Sequence, residues 1–61
     1  MMEFYSYQAN KLRLIKIDTE NMKAELIIFE SDKPDYSTSI PYAEALKILA
    51  TKEFKEKKLD E

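Results

Sequence analysis

Nothing in this chain carries an imidazole or a thiol: its 61 residues include no histidine and no cysteine. Ser6, Ser31, Ser37 and Ser39 therefore have only carboxylates and lysines to activate them, whereas a hydroxyl nucleophile needs a base held by an orienting group. Ser37-Thr38-Ser39 precedes a helical pattern, a position where hydroxyl residues serve strand edges and N-caps. Glu30, Asp32 and Asp35 form the one dense acidic group, with Lys33 among them. Paired carboxylates do acid–base work only in a pocket that splits their pKa values, and so small a domain has little room for a cavity of ~300 Å³ or more. The same three residues lack the ligand spacing and turn glycine of an EF-hand loop. Glycine is absent altogether, which removes both common phosphate-cradling fingerprints. The expectation is a protein that is not an enzyme, with no catalytic residue, no cofactor and no metal.

The elements are written in the periodicity. Leu12 to Ile17 and Met22 to Phe29 read as strands, and a strand with one wet face should alternate apolar and polar residues. Here both faces are apolar: Leu12 and Leu14 oppose Ile15 and Ile17, and Ala24, Leu26 and Ile28 oppose Ile27 and Phe29. Without glycine, left-handed backbone positions fall to asparagine. Asp18-Thr19-Glu20-Asn21 reads as a type I turn with Asn21 left-handed, a three-residue hairpin loop that pairs Asp18 with Met22, Leu14 with Leu26 and Leu12 with Ile28. A two-residue loop, Glu20-Asn21, also aligns apolar pairs, Ile17 with Ala24 and Ile15 with Leu26. It ranks second because it places Glu20 at positive φ. By the same logic Asn10 closes Tyr7-Gln8-Ala9-Asn10 and sets Phe4 opposite Leu14, Ser6 opposite Leu12 and Tyr5 opposite Arg13.

Glu30 to Asp35 is a polar loop around Pro34. Tyr36 to Ile40 is open to a short edge strand. Ser39 or Ile40 starts a helix with Pro41 in its first turn, and Tyr42, Leu46, Leu49, Ala50 and Phe54 fall at helical spacing, flanked by Ala43 and Ala45. The expected fold is α+β in one domain, 1–61: a small antiparallel meander of three to four strands with one C-terminal helix packed on one face. Strands are placed at about 2–8, 11–18, 22–30 and the optional 36–40, the helix at about 41–56, and a frayed tail at 57–61. The charged end, Lys52 to Glu61, reads as a solvated face with mixed-sign spacing.

In that register one face carries Phe4, Leu12, Leu14, Met22, Ala24, Leu26 and Ile28, for the helix to cover. The other carries Tyr5, Tyr7, Arg13, Ile15, Ile17, Ile27 and Phe29, with Lys11, Lys23 and Glu25 among them. Burying Ile15, Ile17, Ile27 and Phe29 is worth about 1.5–3 kcal/mol each. A single core in a chain below ~70–80 residues rarely supplies more than ~3–5 kcal/mol, and such chains usually add disulfides, metal or oligomerisation. With cysteine and histidine absent, a protein partner or self-association remains. Those seven residues are the candidate protein interface, with tyrosine, phenylalanine and arginine as anchors, and a homodimer burying part of the face is expected. If sheet edges pair in that dimer, 2–7 or 36–40 supplies the strand.

The alternative is a single-strand nucleic-acid binder that stacks bases on Tyr5, Tyr7 and Phe29 beside Lys11, Arg13 and Lys23. Against it, the three isoleucines offer neither stacking nor charge, and Glu3 and Glu25 repel phosphates. Ten basic against twelve acidic side chains give a net charge of −2, too neutral for a general nucleic-acid binder or a DNA mimic. The start shows no secretory pattern and the longest apolar run, Leu26 to Phe29, is far short of the ~20 residues of a membrane span, so a cytoplasmic protein with no membrane partner is expected. In its small size and its Lys-, Ile- and Tyr-rich composition the chain resembles small accessory proteins of phages and plasmids. That resemblance implies a modulator that binds one host protein, such as a repressor, a polymerase subunit or a defence enzyme.

Overall fold

Strand-forming runs of five to eight residues separated by turn residues can pair with their neighbours in chain order. The computed structural model, which describes residues 1–57, shows them doing so. Strands β1 (Met2–Gln8), β2 (Lys11–Asp18), β3 (Lys23–Glu30) and β4 (Tyr36–Ile40) form an antiparallel meander. Helix α1 (Tyr42–Ala50) follows, and a two-residue strand, β5 (Lys55–Glu56), then adds to the outer side of β1. The order across the five-stranded sheet is β4-β3-β2-β1-β5. The fold is α+β, with the helix laid across β2 and β3 as it carries the chain from one edge of the sheet to the other.

The first two turns of the meander differ from the expected ones, and both move the register by one residue in the same direction. Gln8 pairs with Lys11, leaving the two-residue loop Ala9-Asn10, with φ of 50° and 62°. Two left-handed residues in a row make a type I′ turn, whose twist matches that of the flanking strands. Alanine, with the smallest side chain the chain can offer, takes the first of these positions. Phe4 consequently faces Ile15, Tyr5 faces Leu14 and Ser6 faces Arg13, which corrects the pairing built on a three-residue loop. Between β2 and β3 the loop is four residues, Thr19 to Met22, with Met22 left-handed at φ 53° and Asn21 not. The Asp18 carboxylate accepts the Glu20 amide (3.1 Å), the Asn21 amide (3.3 Å) and the Asn21 side-chain Nδ2 (2.8 Å). Asn21 thus serves as a donor that closes the turn. The observed pairs, Ile17 with Ala24 and Ile15 with Leu26, are those of the second-ranked register. The objection to it disappears because the longer loop moves the left-handed residue from Glu20 to Met22.

A slip of one residue sends every side chain of a strand to the other face. Here both hairpins slip by one, so β2 alone turns over relative to the expectation while β1 and β3 stay as assigned. The face under the helix carries Phe4, Arg13, Ile15, Ile17, Ala24, Leu26 and Ile28. Ile15 is 0% exposed and Ile17 2%, and with Ala24, Ala45 and Phe54 they form the core. Phe4, Leu26, Ile40, Tyr42, Ile48 and Leu49 pack around it.

Pro41 is the N-cap residue of α1 and lies outside its first turn; its carbonyl accepts the Ala45 amide at 3.0 Å. Ser39, an expected starter, is part of β4. Ala45 is the buried centre of the helix, and Leu46 and Ala50, expected to face the sheet, are exposed. The methyl group of Ala45 lets the backbone of so short a helix approach the isoleucines closely. The helix also ends at Ala50, short of the expected 56. Thr51 donates its amide (3.2 Å) and hydroxyl (2.6 Å) to the Ile48 carbonyl, and Lys52, left-handed at φ 65°, donates to that of Leu49 at 3.2 Å. Such a left-handed residue after the last turn is a common helix stop. It reverses the chain, brings Phe54 into the core and lets Lys55–Glu56 pair with Phe4 and Tyr5. Of the tail expected at 57–61, residues 58–61 lie outside the described residues.

Arg13 closes one end of this core. Its Nη2 donates to the Ser6 hydroxyl at 3.3 Å and to Glu53 Oε2 at 3.1 Å, and its guanidinium stands 5.1 Å from the centroid of the Phe54 ring. One side chain thereby ties β1, β2 and the turn after α1 together, and gives buried Ser6 a hydrogen-bond partner.

Two outcomes follow from these contacts. Arg13→Ala should cost about 1–2 kcal/mol, since a partly exposed ion pair, a hydrogen bond and a cation–π contact go together. In thermal denaturation that is a drop of about 4–8 °C per kcal/mol, and Arg13→Lys, without the planar fork, should recover only part of it. The Asn21 side chain and amide, aided by the Glu20 amide, hold the Asp18 carboxyl below its ordinary pKa. A lowered folded-state pKa gives stability that is present above the unfolded-state value and is lost as pH falls through the folded one. The stability difference between wild type and Asp18→Asn, measured by urea titration, should be constant above about pH 5 and shift toward the variant on acidification. A difference independent of pH would remove the carboxylate from the account of this turn.

Candidate protein interface

The side of the sheet away from the helix is organised in rows that run across the strands. At one end Tyr7, Leu12 and Phe29 are neighbours on β1, β2 and β3. In the next row Lys55, Tyr5, Leu14, Ile27 and Ser37 follow from β5 to β4. Glu3, Lys16, Glu25 and Ser39 form the third row, and Asp18 and Lys23 the fourth. The first two rows are dominated by apolar and aromatic side chains. In the last two the charge alternates in sign from strand to strand, the arrangement in which directly opposed residues attract. The Ser37 hydroxyl donates to Glu25, and Lys57 Nζ stands 3.8 Å from Glu3 Oε1.

Tyr5, Leu12, Leu14 and Phe29 line an open apolar groove of about 440 Å³, with Lys57 at its rim. Tyr7 is 65% exposed at its end. Leu12, Leu14, Ile27 and Phe29 are partly buried, because side chains on neighbouring strands shield one another laterally even where no layer of the described residues covers them. The rows therefore present an aromatic ridge over an apolar floor.

Of the seven candidate interface residues, Tyr5, Tyr7, Ile27 and Phe29 lie together on this open face. Ile15 and Ile17 do not: they are core residues under the helix, which corrects their placement. Arg13 is also on the core side, engaged with Ser6, Glu53 and Phe54. Leu12 and Leu14 take the vacated places and were missed as interface candidates. The signal for them was the pairing of Leu14 with Tyr5 and Leu12 with Tyr7, which follows once Ala9-Asn10 is read as a two-residue turn.

Other chemistry finds little to work with here. Ser6 is buried beneath Arg13, and Glu30 pairs with Lys33 at 3.9 Å. Among the described residues no group of three or more acidic side chains is placed to hold a metal ion, and no helix is long and apolar enough to cross a membrane. Of the basic residues expected to accompany base stacking, Arg13 and Lys11 are on the helix side, while Lys23 stays on the open face opposite Asp18. Lys55 stands beside Tyr5 there, and Lys16 lies between Glu3 and Glu25. Comparison with protein families, with curated proteins and with solved structures finds no match for this chain.

Proposed function

We propose that this protein is a non-catalytic binding module that docks a partner protein on the open face of its sheet and modulates that partner by occupying it. The observation that carries the reading is the pair of rows Tyr7-Leu12-Phe29 and Tyr5-Leu14-Ile27, an apolar patch that no element of the described chain covers. Tyrosine and phenylalanine flanking Leu12 and Leu14 in such a patch supply large contact area at low cost in side-chain entropy. The groove between Tyr5, Leu12, Leu14 and Phe29 suits an apolar side chain of the partner. The alternating charges of Glu3, Lys16, Glu25, Asp18 and Lys23 beside it form a polar rim that favours partners with the complementary alternation. A nucleic acid would meet these carboxylates with repulsion, which supports a protein as the ligand.

A partner captured by the wild-type chain should bind Tyr5→Ala and Ile27→Lys at least tenfold more weakly in titration calorimetry. Lys47→Ala, on the outer side of α1, should leave affinity unchanged. Circular dichroism should show the helix intact in all three, since the altered face is not the core. Equal affinity across the three variants would overturn the reading. So would retention of an oligonucleotide at low salt that is lost in Tyr5→Ala, which would assign the ridge to base stacking instead.

A further inference from the structure

We infer that the outer edge of β4 is a self-association site and that the protein pairs through it, β4 against β4, with a second copy of the same chain. The two edges of the sheet are built differently. The β1 edge is occupied by Lys55–Glu56, two charged exposed residues, and Lys57 adds a backbone hydrogen bond to the Glu3 carbonyl at 2.8 Å. Short strands and charged side chains are the usual means of keeping an edge from pairing. The β4 edge has neither device. Its five residues, Tyr36-Ser37-Thr38-Ser39-Ile40, hold no charge and no proline, and among the described residues no strand pairs with their outer side.

The sequence of that edge is complementary to itself. Antiparallel pairing about a two-fold axis at Thr38 sets Thr38 opposite its own copy, Ser37 opposite the other Ser39, and Tyr36 opposite the other Ile40. Hydroxyl pairs and aromatic–β-branched pairs are the cross-strand combinations that stabilise sheets, by roughly 0.2–1 kcal/mol each. Tyr36 is 57% exposed in the single chain, and the facing isoleucine would cover it. The nearest charged residue, Asp35, would meet Pro41, so no like charges are brought together. A two-fold partner satisfies every one of these features twice, which an unrelated peptide would have to match by its own sequence. The site does not depend on what the open face binds.

The absence of cysteine gives a direct test in the full chain. In the inferred pairing the two Thr38 Cα atoms stand about 4.5–5.5 Å apart, inside the range that a disulfide spans. Ser39 is two residues out of register with its own copy, beyond that range. Under mild oxidation Thr38→Cys should give a disulfide-linked dimer at least ten times faster than Ser39→Cys or Leu14→Cys. Thr38→Lys and Thr38→Glu should each sediment as monomers, and an equimolar mixture should recover the dimer, which a misfolded variant would not do. Equal rates for Thr38→Cys and Ser39→Cys, or a mixture that stays monomeric, would overturn the inference. Fastest cross-linking of Leu14→Cys would move the contact to the open face. Loss of partner binding in Ile27→Lys with Thr38→Cys cross-linking intact would separate this site from the docking reading.

Discussion

The register of β2 is the constraint on which the rest depends. Ile15 and Ile17 reach the core, and Arg13 reaches Ser6 and Phe54, only because β2 pairs with both neighbours as it does. Shifted by one residue, Leu12 and Leu14 would face the helix and the guanidinium would point away from it. Two turns hold that register in a chain without glycine. Ala9, Asn10 and Met22 adopt left-handed backbone in them, as Asp32 and Lys52 do elsewhere. Left-handed backbone costs non-glycine residues about 1–2 kcal/mol each, less for asparagine and aspartate. The Asp18 carboxylate, holding three donors of its own loop, offsets part of that cost at the second turn.

The helix is the dependent element. Nine residues are too few to be helical alone in water, so packing must hold them. What holds α1 is a narrow strip, with Ala45 seated on the sheet and Tyr42, Ile48 and Leu49 beside it. Phe54 then does from the following turn what a longer helix would have done from its last turn. It fills the end of the core, and Arg13 covers it from the other side. Strand β5 is a consequence of this reversal, because returning the chain for Phe54 leaves Lys55 and Glu56 alongside β1.

Much of this was legible in the residues themselves. Strand positions followed from the apolar runs and from the spacing of Asn10 and Asn21, and β4 from the β-branched and hydroxyl residues after Pro34. The register was not legible, because an asparagine between two strands does not by itself mark the left-handed position. At the first turn alanine shares that role, and at the second methionine takes it so that Asn21 can donate to Asp18. The face of β2 then inverted, which exchanged Ile15 and Ile17 for Leu12 and Leu14 at the candidate interface. The helix end was hidden for another reason: Phe54 continues the helical spacing from Leu46 and Ala50, and only the Thr51 cap and the left-handed Lys52 reveal a stop. The open face survived the inversion because both faces of β2 are apolar, so either register leaves a patch of similar character.

The two surfaces constrain each other geometrically. With the two-fold axis at Thr38 both open faces lie on the same side of a joined sheet, since Ser37 and Ser39 point the same way from β4. Ser37 ends an apolar row and Ser39 a charged one. Pairing them across the axis therefore continues the apolar row of one copy into the charged row of the other. The patches cannot merge into one continuous apolar surface. They sit diagonally, with five strand spacings, about 24 Å, between one β2 and the other. A dimer of this kind presents two separate docking sites at fixed distance, so a partner that is itself two-fold would be held by both at once and gain in avidity without any new contact. The alternating charges that divide the patches also keep the joined sheet from offering the broad apolar face on which further copies would stack.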